Sequence, residues 1–244
     1  MDPFDNECGY LSWIYVWRMT PDKVGHVAAQ LGGCSPKITK SDTAGGRYIS
    51  LHPSKIPAFG PTIALPLPSE ISTSLAEDME IEAMYNAMDK LTDDSTSACQ
   101  RTGETASLLP PDKIFKIANL DTQSMQNYVD NVEREFDEGN IFYQLCPQVN
   151  SVEFLADVPK YIGFDLDSSA SNAKAVVNYY GKHKYNCATI ASAVLASGGL
   201  ILKHSPTPWG LTPNDVASQL ETLSSASISN RVTIEEVRDV FFHT

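Results

Sequence analysis

Residues 185–199 read YNCATIASAVLASGG, an apolar helix with its own start and stop signals. Asn186 is a good N-cap, whose side chain can accept from the first free N–H groups. Gly198 and Gly199 end the element. Ile190, Ala191, Val194 and Leu195 line one face, so the rest of the chain must provide a core to cover them. The first sixty residues offer strands for that purpose. YLSWIYVWRM is aromatic and β-branched, KVGHVAAQL is short and apolar, and RYISLHP alternates up to a proline stop. Gly32-Gly33 and Gly45-Gly46 mark the loops between them.

Further along, PAFGPTIALPLPSE is expected to cross the surface, and residues 74 to 91 to form a helix. DDSTSACQRTGETAS reads as a polar loop and DKIFKIANL as a strand. In DTQSMQNYVDNVEREF, Met125, Tyr128, Val129, Val132 and Phe136 share one amphipathic helical face. Residues 171 to 181 are weakly helical. Two helices are expected at the tail. One starts at Thr212-Pro213-Asn214-Asp215 and is lined by Val216, Leu220 and Leu223. The other has a capping box of Thr233 with Glu236 and is lined by Ile234, Val237, Val240 and Phe241.

The 244 residues suit one large domain and a substantial core. No run of eighteen apolar residues is present to cross a membrane, and MDPFDNECGY has no secretory n- and h-region. The cysteines at 8, 34, 99, 146 and 187 are odd in number and widely spaced. They lack zinc-finger spacing, and a reducing compartment is the simplest reading, with every cysteine but Cys187 an ordinary interior residue. A net charge of −12 argues against nucleic acid. Residues 70 to 138 carry most of it, with 16 Asp and Glu against 5 Lys and Arg. That is either a solvated helical face or a dock for a basic partner.

Cys187 stands at the first position of its helix, where unpaired N–H groups and the helix dipole favour an anion. A lowered thiol pKa and an oxyanion site are the expectation there, against the plain alternative of a small buried cysteine. A nucleophilic cysteine needs a base. His26 lies in an apolar strand just after a glycine that allows close approach. His52 ends a strand and could also serve. His183 sits in the basic loop GKHKYN, and His204 and His243 have no supporting context. Spacing alone does not choose the carboxylate that would orient the imidazole.

Taken in order, six motifs resemble the Rho-inactivation-domain family of bacterial toxins and effectors. They are VGHVAAQLGG, GGRYISLHPS, SLAEDMEIE, LPPDKIFKIANLD, NCATIASAVLASGG and WGLTPNDVASQL. The resemblance implies an α+β, circularly permuted papain-like fold, an antiparallel sheet packed with helices, as a single catalytic domain over 1–244. Residues 138 to 178 fall outside it and read as a variable or inserted segment. It implies Cys187 as nucleophile, His26 as general base and Asp78 as orienting acid, with Glu77, Glu80 and Glu82 as rivals.

It further implies a lysine Nε-fatty acyltransferase, with long-chain acyl-CoA as co-substrate and no permanently bound cofactor or metal. The expected acceptor is a host protein with a basic, lysine-rich segment, such as a lipidated Rho-family GTPase. The protein would be a secreted effector in host cytosol, in peripheral contact with membranes. The loop Lys182-His183-Lys184 is either solvated or a contact for CoA phosphates. The same triad serves a cysteine protease, amidase or deamidase, and a scaffold of this kind can also be a non-catalytic binding module.

Overall fold

The computed structural model describes residues 8–21, 23–42, 46–54, 65–89, 108–150, 182–225 and 232–237. They form an α+β arrangement of eight strands and four helices. The strands are β1 Leu11–Trp17, β2 His26–Leu31, β3 Arg47–Pro53, β4 Leu67–Ser72, β5 Lys113–Ala118, β6 Ile141–Tyr143, β7 His183–Tyr185 and β8 Thr233–Val237. The helices are α1 Leu75–Asp89, α2 Thr122–Asp137, α3 Cys187–Ser197 and α4 Pro213–Ser225. One sheet holds all the strands, in the order β7-β6-β4-β3-β2-β1-β5-β8.

The sheet separates two cores. On one face, Val27, Ala29, Ile49 and Leu51 pack against α2, α3 and α4 through Met125, Val129, Ala188, Ile190, Val194 and Leu220. On the other, Trp13, Tyr15, Trp17, Ala28 and Tyr48 receive Leu75 and Met79 of α1. Both follow from strand alternation, since successive side chains point to opposite faces. Gly198 lets α3 reach α2, because a Cβ there would lie 2.5 Å from the Met125 sulfur.

Several sequence expectations meet a different outcome. The sheet is mixed rather than antiparallel, because β6 and β7 run parallel. The segment expected as a basic loop supplies β7. There Lys182 donates to the Gly139 carbonyl at 2.7 Å and lies over the Phe142 ring, while His183 stays exposed. The Pro-rich passage ends inside β4.

The second tail helix is replaced by β8, which extends the sheet beside β5. The Thr-x-x-Glu spacing of a capping box is equally compatible with a strand. Ladder bonds to β5 decide it, with Glu235 opposite Lys116 and Glu236 paired with Lys113. Cys8 and Cys34 are joined in a disulfide, so they are not the free interior residues expected; Cys146 and Cys187 are free and buried. Residues 93–107, with Cys99, and residues 151–181, most of the expected inserted segment, lie outside the described residues, as do Val240, Phe241 and His243.

Gly25 sets the entry of the chain into β2. Its φ is +74°, and an added Cβ would lie 2.6 Å from the Met19 nitrogen and 2.7 Å from the Trp17 carbonyl oxygen. Both are backbone atoms that cannot rotate away. Gly25→Ala is expected to destabilise the protein by about 1–3 kcal/mol, read as a lower thermal midpoint. An unchanged midpoint would show that the turn into β2 is not tightly constrained.

Candidate active site

RYISLHP places Tyr48, Ser50 and His52 at alternate positions, hence on one face of β3, and His26 begins β2 beside them. Helix α1 covers that face and brings Asp78 down onto it. Asp78 is fully buried. One carboxylate oxygen accepts from Tyr48 Oη at 2.6 Å and lies 3.4 Å from His26 Nε2. The other is 2.7 Å from His52 Nε2. Ser50 Oγ sits between the two imidazoles, 2.6 Å from His26 Nε2 and 3.2 Å from His52 Nε2. The rings stack with centroids 4.0 Å apart.

Burial alone would raise the Asp78 pKa. The charges of His52 and then His26, with their hydrogen bonds, hold it well below the usual carboxylate range. An ionised carboxylate only accepts, so His52 carries its proton on Nε2. Burial, followed by repulsion from His52, lowers His26 to about 4 against the pull of Asp78, so this imidazole is neutral near pH 7.

Cys187 arrives from the opposite face of the sheet. Asn186 caps α3 in a full capping box with Thr189. The Asn186 side-chain amide also donates to the carbonyls of Leu145, Trp209 and Leu211 at 3.1–3.3 Å, which fixes the WGL segment at the helix start. The ladder between β2 and β3 covers only Ala29–Leu31, whereas β3 stays paired with β4 through Pro53. Where β2 and β3 part, the Val27 N–H is turned to the Cys187 sulfur. The Ala188 N–H and the Tyr143 hydroxyl also donate to it.

The expectation of a low thiol pKa does not hold. Burial pushes Cys187 up to about 12 and the Glu82 charge adds to it, which outweighs the three donors. At rest the pair is therefore a thiol and a neutral imidazole, not a thiolate and an imidazolium.

Of the four acids weighed for the third position, Asp78 meets His26. Glu77 turns outward to Lys40 and Thr73, and Glu80 is exposed. Glu82, one turn beyond Asp78 on α1, is buried and raised to about 7 by desolvation. A ring nitrogen of His26, one of His52 and a Glu82 oxygen lie within 4.8 Å of one another, and these are the described residues placed to hold a cation. His52 is the residue that sequence reasoning undervalued, and the i, i+2, i+4 run Tyr48, Ser50, His52 was its available signal. His204 lies apart, 3.2 Å from Ser192.

Beside the thiol runs a mostly apolar cleft, lined by Met19, Val24, Leu145, Trp209, Leu211 and Pro213 among others. Its interior has room for about one water. No protein-family model, curated protein or solved structure matches the chain.

A buried thiol makes a clear prediction. Alkylation of Cys187 by iodoacetamide, followed on its own peptide by mass spectrometry, is expected to be slow at pH 7. The rate should still be climbing past about pH 9, towards the value near 12. A rate that levels off between about pH 6 and 8 would reveal a preformed thiolate and overturn this neutral resting state.

Proposed function

We propose that the chain is a cysteine-nucleophile lysine Nε-fatty acyltransferase on a circularly permuted papain-like scaffold. The observation that carries this reading is the convergence at Cys187. The thiol begins α3, accepts N–H groups from Val27 and Ala188, and opens on an apolar cleft. The motif resemblance supplies the acyl-CoA donor and the lysine acceptor.

In the first half of the reaction, the Cys187 sulfur attacks the thioester carbon of acyl-CoA as His26 takes the thiol proton. The oxyanion that forms is drawn to N–H donors at the start of α3. The CoA thiolate leaves and is protonated, and the acyl chain stays on Cys187 as a thioester. In the second half, a lysine amine attacks that carbonyl, His26 takes a proton from its nitrogen, and the Cys187 thiolate leaves and receives that proton. Exchange of one thioester for another is nearly neutral, and amide formation draws the reaction forward. Asp78 and Ser50 hold His26 for both steps.

The neutral resting pair is compatible with this sequence of steps. Burial is the largest cause of both shifts. Substrate entry that hydrates the site relieves that cause, lowering the thiol and raising the imidazole towards one another.

On the same reading, the acceptor is a host protein with a basic, lysine-rich segment, such as a Rho-family GTPase. The protein would act as an effector in host cytosol, at membranes where lipidated substrates reside. Part of the acidic stretch serves the fold instead of docking: Asp78 is buried, and Asp130 and Glu133 pair with Arg47.

Incubation with alkyne-tagged palmitoyl-CoA tests the reading. The expected result is hydroxylamine-sensitive label on the wild type, absent in Cys187→Ala and reduced at least about a hundredfold in rate in His26→Ala. An unlabelled wild type whose thiol still reacts with alkylating reagents would overturn acyl transfer and favour a hydrolase.

A further inference from the structure

The proposed acyl transfer gives no task to Glu82, whose charge acts on Cys187. Its carboxylate is buried, with no hydrogen-bond partner among the described residues. It lies with one nitrogen of His26 and one of His52 in a triangle whose corners are within 4.8 Å of each other. The Nε2 edges of both rings are taken by Asp78 and Ser50. Nδ1 is therefore the edge each ring has to offer: it accepts in the neutral His26, and in His52 whenever that ring carries its Nε2 proton alone.

Two kinds of cation could sit among three such acceptors, and spacing separates them. A tetrahedral metal with ligands at about 2.0–2.1 Å draws them to within about 3.3 Å of one another. The ring centroids here are 4.0 Å apart and the planes 17° from parallel, a wider spacing than such a metal draws its ligands to. An ammonium nitrogen with hydrogen bonds of about 2.9 Å places three tetrahedrally arranged acceptors about 4.7 Å apart. A primary ammonium also has three N–H donors and no acceptor, and its one positive charge matches one carboxylate.

We infer that His26 Nδ1, His52 Nδ1 and the Glu82 carboxylate form a binding site for a primary ammonium group. Resting on the acyltransferase reading, this is the ε-ammonium of the acceptor lysine, held on the α1 face of the sheet. The apolar cleft beside the thiol shares none of these three residues. On becoming an amide the ammonium loses two protons. The first passes to the Glu82 carboxylate and on to solvent. The second passes through His26 to the departing Cys187 thiolate, as the N–C bond forms and the C–S bond breaks.

The site is tested first by binding, without catalysis. n-Butylamine titrated into the full chain is expected to saturate, and to bind at least about tenfold more weakly to Glu82→Gln, which loses a charge-assisted hydrogen bond. Within the wild type, affinity should fall from the primary to the tertiary butylamine and vanish for the quaternary ion as N–H donors are lost. Equal affinity across that series, or equal affinity in Glu82→Gln, would overturn the site. So would stoichiometric Zn²⁺ binding by a protein that ignores the amine.

In the loaded enzyme, the amine concentration for half-maximal deacylation should rise in Glu82→Gln by the same factor. Amine binding through Glu82 in a protein that never loads from acyl-CoA would refute the acyltransferase and keep the site. Loading followed by aminolysis indifferent to Glu82 would do the reverse.

Discussion

The buried carboxylate of Asp78 is the interaction on which the rest of the site depends. An ionised group with no solvent exposure is tolerable only when donors surround it. Here Tyr48, His52 and His26 do so. The arrangement ties three elements together, because Tyr48 and His52 belong to β3, His26 to β2 and Asp78 to α1. Removing the carboxylate would leave two imidazoles and a phenol without their acceptor, and would release α1 from the sheet at that point. The bond to His52 is the shorter of the two imidazole contacts. Asp78 is thus at least as much an anchor for His52 as an orienter for His26.

A second constraint places Cys187. Helix α3 packs on one face of the sheet and the histidine cluster lies on the other, so an unbroken ladder would keep them apart. Pairing of β2 with β3 stops at Ala29 and Ile49, and β3 continues alone with β4. The Val27 N–H that a longer ladder would have used is directed at sulfur instead. Gly25, with backbone packed where a side chain would stand, starts β2 at the position that presents His26 and Val27 at that opening. Through that opening the Cys187 sulfur reaches the backbone next to His26.

Much of this was legible locally. The cap at Asn186, the stop at Gly198, the amphipathic stripe of α2 and the Thr212–Asp215 start of α4 are signals contained within a few residues, and each directs its element. What was not legible depends on partners distant in the chain. Thr233–Val237 carries a helix-start spacing but lies in a sheet, because β5 had an edge to fill. His183–Tyr185 reads as a basic loop until β6 is beside it. The Cys8–Cys34 bond joins segments whose approach no spacing rule foretells. The choice among four acids on α1 also had to await the fold. The helical period brings Asp78 and Glu82 to one face and leaves Glu80 in solvent, but only the packing of α1 says which face is inward.

The thiol is the most instructive departure, because the principle applied to it was sound and its magnitude insufficient. Helix N–H groups do favour a thiolate, and two N–H donors and a hydroxyl reach the Cys187 sulfur. Desolvation acts on the whole charge, however, and a nearby carboxylate acts in the same direction. Burial therefore prevails over the dipole. The same burial keeps His26 neutral and leaves Glu82 half-ionised near neutrality. Burial is the largest cause of all three shifts, so entry of water moves thiol, imidazole and carboxylate back towards their ordinary values together.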